Sequence, residues 1–376
     1  QAPEPAQAPE PAQAPEPEPT AEAPAAAPPA RTYELSTASG VVGSGLALAF
    51  ASTADLRKAS IYVGLLVLGA FGPAMVALLV VLAKLGDSAG DVLADLFFGI
   101  SPSVPPEVAS AILLVLLEFL AGLLIFVSIS IDAQVIGIAL LGARASGRPM
   151  RLREAIVRAR QVFWRMAGSG ALVGAVTFVV QSLIIQAFGG FSRSGEAASV
   201  FGTIVTTILV APFAYVQTGI VLGDVGAMEA ISRSYRLYKA RRMLAVVVVL
   251  FPLVASAIQL FAFSAGLDLA VRAAELLNLS LASGALAFAT AVALVLASVV
   301  AFGSLSFTIA AVVAAPQVAA FLGLTFYSAG LDRARSDDPK PPPGSRYVTR
   351  PMLVAILLLA ALVMLQLPAI EAIEAS

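Results

Sequence analysis

The sequence predicts an all-α, polytopic integral membrane bundle of about seven transmembrane helices, with amphipathic elbow helices at its cytoplasmic face. Three observations predict it. The 376-residue chain is 59% hydrophobic and only 12% charged, whereas soluble domains carry roughly a quarter charged residues. Apolar stretches of membrane-crossing length recur along its whole length. The basic residues gather in alternate connectors between those stretches. A water-soluble globule could not hide this much apolar surface. The formal net charge is −1, so the overall balance points to no nucleic-acid partner.

The chain opens on QAPEPA, QAPEPA and QAPEPE in tandem, followed by Ala/Pro-rich sequence. Proline removes backbone donors and fixes φ, so this stretch favours extended polyproline II. It lacks the large apolar residues a core needs, and Glu4, Glu10, Glu16, Glu18 and Glu22 repel one another. Residues 1–39 are therefore expected to form a disordered cytoplasmic tail. A first residue of Gln is expected for a processed chain or a fragment, and no charged-then-apolar secretory signal precedes the first apolar run.

A crossing needs about 20 apolar residues, and seven stretches qualify: 60–83, 108–141, 166–188, 200–222, 243–263, 285–324 and 352–367. The second and sixth exceed one straight crossing, so they tilt or project beyond the lipid. Pro316 marks an expected kink near the end of the sixth, Pro252 lies inside the fifth, and Pro351 starts the seventh. Residues 41–56 are too short to cross and read as a helix at the interface or packed as an elbow on the bundle. Residues 91–98 and 267–277 read as short interfacial helices on the other side. The domain organisation is thus a tail over 1–39, a six-helix membrane domain over 40–336, a Pro-rich loop over 337–350 and an additional helix over 351–376.

The charges orient this bundle. Arg31, Arg57 and Lys58 precede the first span, and the runs of Arg144–Arg165, Arg233–Arg242 and Arg333–Arg350 follow the second, fourth and sixth. Only Lys84, Arg193 and Arg272, of 23 basic residues, fall on the opposite side. The positive-inside rule places the N-terminus in the cytoplasm and the C-terminus outside a cell (plasma or inner) membrane.

One basic phrase occurs twice. Glu-Ala-Ile-x-Arg stands at Glu154–Arg158 and again at Glu229–Arg233. Both copies lie in cytoplasmic connectors and enter an odd-numbered span. On a helical wheel Ile156, Val157, Phe163 and Trp164 oppose Arg151, Glu154, Arg158 and Arg165, with Arg153 and Arg160 nearer the apolar side. In the second copy Ile231, Tyr235 and Tyr238 oppose Glu229, Arg233 and Arg236. Glu154–Arg158 and Glu229–Arg233 are i, i+4 pairs worth a few tenths of a kcal/mol each. Each copy reads as an amphipathic elbow with aromatics in the headgroup zone and cations toward anionic lipid. The expected lipid or partner surface is Arg153, Arg158, Arg160, Trp164, Arg233, Arg236 and Lys239. The repeat extends upstream: Gln134, Gln217 and Gln317 each sit late in an even-numbered span, followed by small and apolar residues.

These elbows, together with Pro316, Phe326-Tyr327 and Asp332-Arg333-Ala334-Arg335, resemble a broad prokaryotic family of six-helix membrane proteins. That family is related to the membrane domain of glycerophosphoryl diester phosphodiesterases, and many of its members are stand-alone proteins of unknown function. The resemblance covers residues 40–336 and implies an architecture. In the family the tyrosine and the Asp-Arg-x-Arg run nearly adjoin, whereas Ser328–Leu331 separate them here. The seventh span is an addition, and no phosphodiesterase catalytic domain accompanies it.

The residue inventory narrows the chemistry. With no Cys and no His, there is no thiolate nucleophile, no Cys/His zinc site and no His-based triad. No cofactor, metal or catalytic residue is expected. Glu118, near the middle of the second span, is an intramembrane acid and so a functional candidate by default. Gln181, Thr206, Thr207 and Gln259 are its expected partners. Asp132 lies 14 positions further on and is expected to meet water or an elbow arginine. Glu118, Asp132, Gln134, Gln217 and Gln317 form the candidate polar site. Gly168, Gly170 and Gly174 read as a small-residue packing signal. The expected function is a non-catalytic accessory, scaffold or lipid-associated module. It would meet membrane lipids and a membrane or cytoplasmic protein partner. A transporter or lipid-handling permease built on Glu118 is the competing expectation.

Overall fold

The computed structural model describes residues 37–85, 106–189, 195–253, 285–325, 330–332 and 345–375, and these are helical nearly throughout. In chain order the helices are α1 (Ala38–Ala51), α2 (Thr53–Leu85), α3 (Pro106–Ala145), α4 (Leu152–Gly189), α5 (Gly195–Leu209), α6 (Val216–Gly223), α7 (Ala227–Ala240), α8 (Arg242–Leu253), α9 (Ala285–Thr325) and α10 (Ser345–Ala375). A single 3-10 turn, Ala211–Phe213, separates α5 from α6. Among the described residues, four helices are long and apolar enough to cross a membrane, over Thr53–Val81, Val108–Ala145, Leu152–Ile184 and Phe288–Thr325. The bent pair α5–α6 makes a fifth if counted as one span. The expected tail and the two short helices at 91–98 and 267–277 lie outside the described residues, as does the second half of the fifth expected span.

Each crossing helix buries one stripe and offers the rest to lipid. On α2 the buried apolar side chains are Leu56, Ala59, Val63, Val67, Ala70, Ala74, Ala77 and Val81, the three-to-four spacing of one helical face. On α3 the buried stripe runs through Ala111, Val115, Glu118, Ile125 and Ile129, while Leu113, Leu116, Leu120, Leu124 and Val127 are exposed. That much exposed Leu and Val has its solvent in hydrocarbon. At about 1.5 Å per residue, the 40 residues of α3 run to about 60 Å, twice a hydrocarbon core of about 30 Å.

Close approach at glycine sets the helix pairing. α2 packs along α9, and a Cβ built on Gly64 would lie 2.3 Å from Ser304 Oγ and 2.7 Å from the Val300 carbonyl oxygen. Ser304 Oγ donates to the Ser60 carbonyl at 3.0 Å across this contact. Gly64→Leu is expected to force α2 from α9 and cost about 1–3 kcal/mol or more, measured as a lower unfolding midpoint in detergent. An unchanged midpoint would mean that the two helices do not meet there. The expected glycine signal on α4 is not used in this way: Gly168, Gly170 and Gly174 have no neighbour within 4 Å of a built Cβ among the described residues.

Residues 41–56 form not one helix but the end-to-end pair α1 and α2, broken at Ser52. Of the two readings, packing on the bundle is the observed one. Val41 and Leu48 are buried, and Gly45 sits against Pro316 of α9. The break leaves carbonyls that helix bonds no longer serve. Ser52 Oγ donates to Leu48 O at 2.9 Å, Thr53 Oγ1 to Phe50 O at 2.7 Å and Arg144 Nε to Ala51 O at 3.0 Å. α9 runs unbroken through Pro316, so the expected kink does not end it.

Three boundaries differ from expectation. The first elbow is not a separate helix: α4 continues from Leu152 to Gly189, because nothing between Arg165 and Gly168 breaks it. The elbow is therefore the first part of the same helix as its span. The fourth span is broken, with α5 and α6 meeting at a 50° bend where Pro212 interrupts the backbone ladder. α10 starts at Ser345, so Pro351 lies inside it and residues 345–350, expected in the Pro-rich loop, are helical, while 337–344 lie outside the described residues.

Candidate functional site

One end of the bundle collects most of the described charge. The end of α3, the start of α4 and the end of α6 are tied there by arginines. Arg158, on the buried side of α4, is 0% exposed. Its Nε donates to Val221 O at 2.9 Å and its Nη2 to Ile220 O at 3.0 Å. These are last-turn carbonyls of α6, the acceptors a helix C-terminus leaves open. Its Nη1 donates to Asp224 Oδ1 at 3.0 Å and to Gln161 Oε1 at 3.2 Å. Asp224 closes α6 in the left-handed region, at φ 52 and ψ 33, which points its carboxylate back at α4. Arg165, two turns from Arg158, reaches the same Oδ1 at 3.0 Å. Gly330 covers the guanidinium so closely that a Cβ there would lie 2.4 Å from Arg158 Nη2. Arg158 is thus no part of a lipid-facing surface, which corrects the wheel reading. Its i, i+4 partner is free for other work: Glu154 Oε2 accepts from the Arg151 backbone N–H at 2.9 Å, half of a capping box.

A second ion pair sits beside the first. Arg160 Nη2 lies 3.0 Å from Asp132 Oδ2, and Tyr62 of α2 bonds to the same arginine. The expectation that Asp132 meets an elbow arginine is met, and Arg160 faces into the bundle. Arg153 and Trp164 are exposed, Trp164 at 53%. Phe163 turns the other way and is buried. Arg148 pairs with Asp332 at 3.0 Å on the surface.

The second elbow, α7, is a separate helix that carries its pattern differently. Ala230 and Ser234 are buried, in the places Ala155 and Ala159 hold on α4. Ser234 Oγ donates to Pro212 O at 2.7 Å and accepts from Tyr215 N–H at 3.1 Å, satisfying both groups that the α5–α6 break exposes. Ser234→Ala is expected to strand both and cost about 1–3 kcal/mol, read as faster unfolding in detergent. A loss of a few tenths would mean that other groups serve the break. The outer face shows Tyr235, Arg236 and Lys239 exposed and Arg233 paired with Glu229. Lys239 Nζ lies 4.7 Å from the Tyr235 ring centre, and the Tyr235 and Tyr238 rings stack at 6.4 Å.

The three glutamines picked out by position converge. Gln217 Nε2 donates to Gln134 Oε1 at 3.3 Å. Two clefts flank them, of about 170 Å³ and about 120 Å³, and Gln217 and Gln317 line both. Around each glutamine the burial pattern repeats: the residue before it and the three after it are buried.

Glu118 does not join this group. It is 0% exposed, and among the described residues neither carboxyl oxygen has a hydrogen-bond partner. Thr207 Oγ1 is spent on Thr203 O at 2.7 Å, Thr206 Oγ1 has no partner among the described residues, and Gln259 lies outside them. The expected partnering of Glu118 is therefore not found there. On the same flank of α3, Gln366 of α10 donates to Ala111 O at 3.2 Å.

Sequence reasoning misses Asp224, Ser234, Tyr62 and Gly330. Asp224 leaves one trace, as the only acidic residue between Glu196 and Glu229. No family model, curated protein or solved structure matches the chain.

Proposed function

We propose that this is a non-catalytic module of the cell membrane whose cytoplasmic face engages anionic lipid headgroups and so holds the chain, or a protein partner, at the bilayer surface. In this reading seven spans place the N-terminus inside and the C-terminus outside, and a helix–elbow–helix unit is repeated. Kinship with the six-helix family remains part of the proposal. Nucleic acid and cofactors have no role in it. The observation that carries the reading is the division of labour among the basic residues. Arg158 and Arg160 are consumed by internal ion pairs, whereas Arg236 and Lys239 stand exposed on α7 beside Tyr235. Basic side chains near an anionic surface are worth about 1 kcal/mol each.

The test is retention of phosphatidylglycerol by the full chain in nanodiscs at low and high salt. Removing these two exposed charges of α7, with Arg236→Ala and Lys239→Ala together, is expected to weaken retention by about thirtyfold, as about 2 kcal/mol requires. High salt is expected to do the same to the parent. Retention that ignores both would sink the proposal.

Glu118 favours a second reading, as the carboxyl of a permease. The two readings part on one variant. If Glu118 is only a buried group without partners, Glu118→Met is expected to raise stability by about 1–3 kcal/mol. If it moves a substrate, the same variant abolishes uptake in cells.

A further inference from the structure

We propose that the glutamine cleft binds the hydroxyl–ester head of a neutral lipid, an acylglycerol. The cleft is built from three separate helices, with Gln134 on α3, Gln217 on α6 and Gln317 on α9. A primary amide offers two N–H donors and one carbonyl acceptor. Of all that capacity the Gln217–Gln134 bond uses one pair, and Gln317 uses none among the described residues. Gln217 and Gln317 are half-buried and Gln134 is exposed, and open amides beside apolar walls suit a ligand that both donates and accepts.

Charge excludes the commoner lipid heads. No Lys, Arg, Asp or Glu lines either cleft. A phosphate would find no cation there, and a choline or ethanolamine would find no carboxylate. A free hydroxyl beside an ester carbonyl supplies one donor and one acceptor without charge. The size of the site argues for a lipid over a soluble molecule. Each cleft, at about 170 Å³ and about 120 Å³, is below the about 300–1,000 Å³ that encloses a whole drug-sized ligand. Only a head fits, and the rest must lie outside. Gln134, Ala310 and Gly170 on the cleft walls are exposed, so an acyl chain leaves directly into the bilayer. Small walls at Gly137, Ala311 and Ala314 let that chain lie close to the helices.

This site is distinct from the α7 surface, which works through charge, so either can fail without the other. The full chain is reconstituted in phosphatidylcholine nanodiscs containing radiolabelled dioleoylglycerol, washed in mild detergent, and assayed for label per chain. The parent is compared with Gln134→Leu, Gln317→Leu and, as a control outside the cleft, Gln181→Leu. Gln134 is exposed, so its variant reports on binding even where the half-buried Gln317 affects folding. The parent and the control are expected to retain the label, and each cleft variant to lose it about tenfold, the ratio for about 1.4 kcal/mol. Excess glycerol or phosphatidylglycerol is expected to leave the parent unchanged. Equal retention in all four chains, or none in the parent, overturns the proposal. So does displacement by glycerol, which would make the ligand a soluble polyol, or by phosphatidylglycerol, which would make it a charged lipid.

Discussion

Replacing Asp224 with Ala is expected to cost about 3–5 kcal/mol of folding stability, the usual penalty for stranding one member of a buried ion pair. Arg158 is the reason. Its guanidinium has no exposure and cannot swing into water. Without Asp224, the described acceptors still on Arg158 include the carbonyls of Ile220 and Val221 and the amide of Gln161, and these three carry no charge. Arg165 loses the same oxygen. The end of α6 also loses the left-handed closure that an aspartate tolerates better than alanine. The measurement is a double-mutant cycle on unfolding in detergent with Asp224→Ala, Arg158→Met and both together. The double variant is expected to be less damaged than the sum of the singles, because the stranded charge goes with its partner. Strict additivity would mean that the two side chains are not coupled.

Arg160→Met is expected to have the second largest effect, about 3 kcal/mol. Asp132 is 4% exposed, and among the described residues its Oδ1 already lacks a partner. Losing Arg160 leaves the whole carboxylate uncompensated between α3 and α4. Asp132→Asn in the same chain is expected to recover most of the loss, since a neutral amide no longer needs a cation. Tyr62 gives an independent readout, because its bond to Arg160 is broken in the single and the double variant alike. Tyr62→Phe should therefore add little to either. A full additional penalty from Tyr62→Phe in the Arg160→Met background would place the tyrosine outside this network.

The two ion pairs show which parts of this structure the sequence carries. Helix positions along α2, α3 and α9 are legible because burial and lipid exposure impose one period on the same residues. Gln134, Gln217 and Gln317 are legible because each sits at the same place relative to a connector, and the fold then brings them together. Arg158 is not legible. A wheel treats a helix as having one apolar and one wet side, and Arg158 falls on the wet side. Only its partner, 66 positions away, turns that side inward. The first elbow misleads for a related reason: its polar composition marks a change of environment, not a break in the helix, so α4 runs straight through. The bend between α5 and α6 has a local sign in Pro212. Its stability is non-local, resting on Ser234 in the following helix.

The proposed function requires the basic end of the bundle to face the cytoplasm. The chain contains no cysteine, so a single introduced thiol reports one position without background. Ser232→Cys on the exposed side of α7 and Ser194→Cys between α4 and α5 are treated with a membrane-impermeant maleimide in intact cells. The account predicts labelling of Ser194→Cys, and labelling of Ser232→Cys only after the membrane is permeabilised. Labelling of Ser232→Cys in intact cells, with Ser194→Cys protected, would invert the bundle and remove α7 from the anionic leaflet on which the proposed function depends.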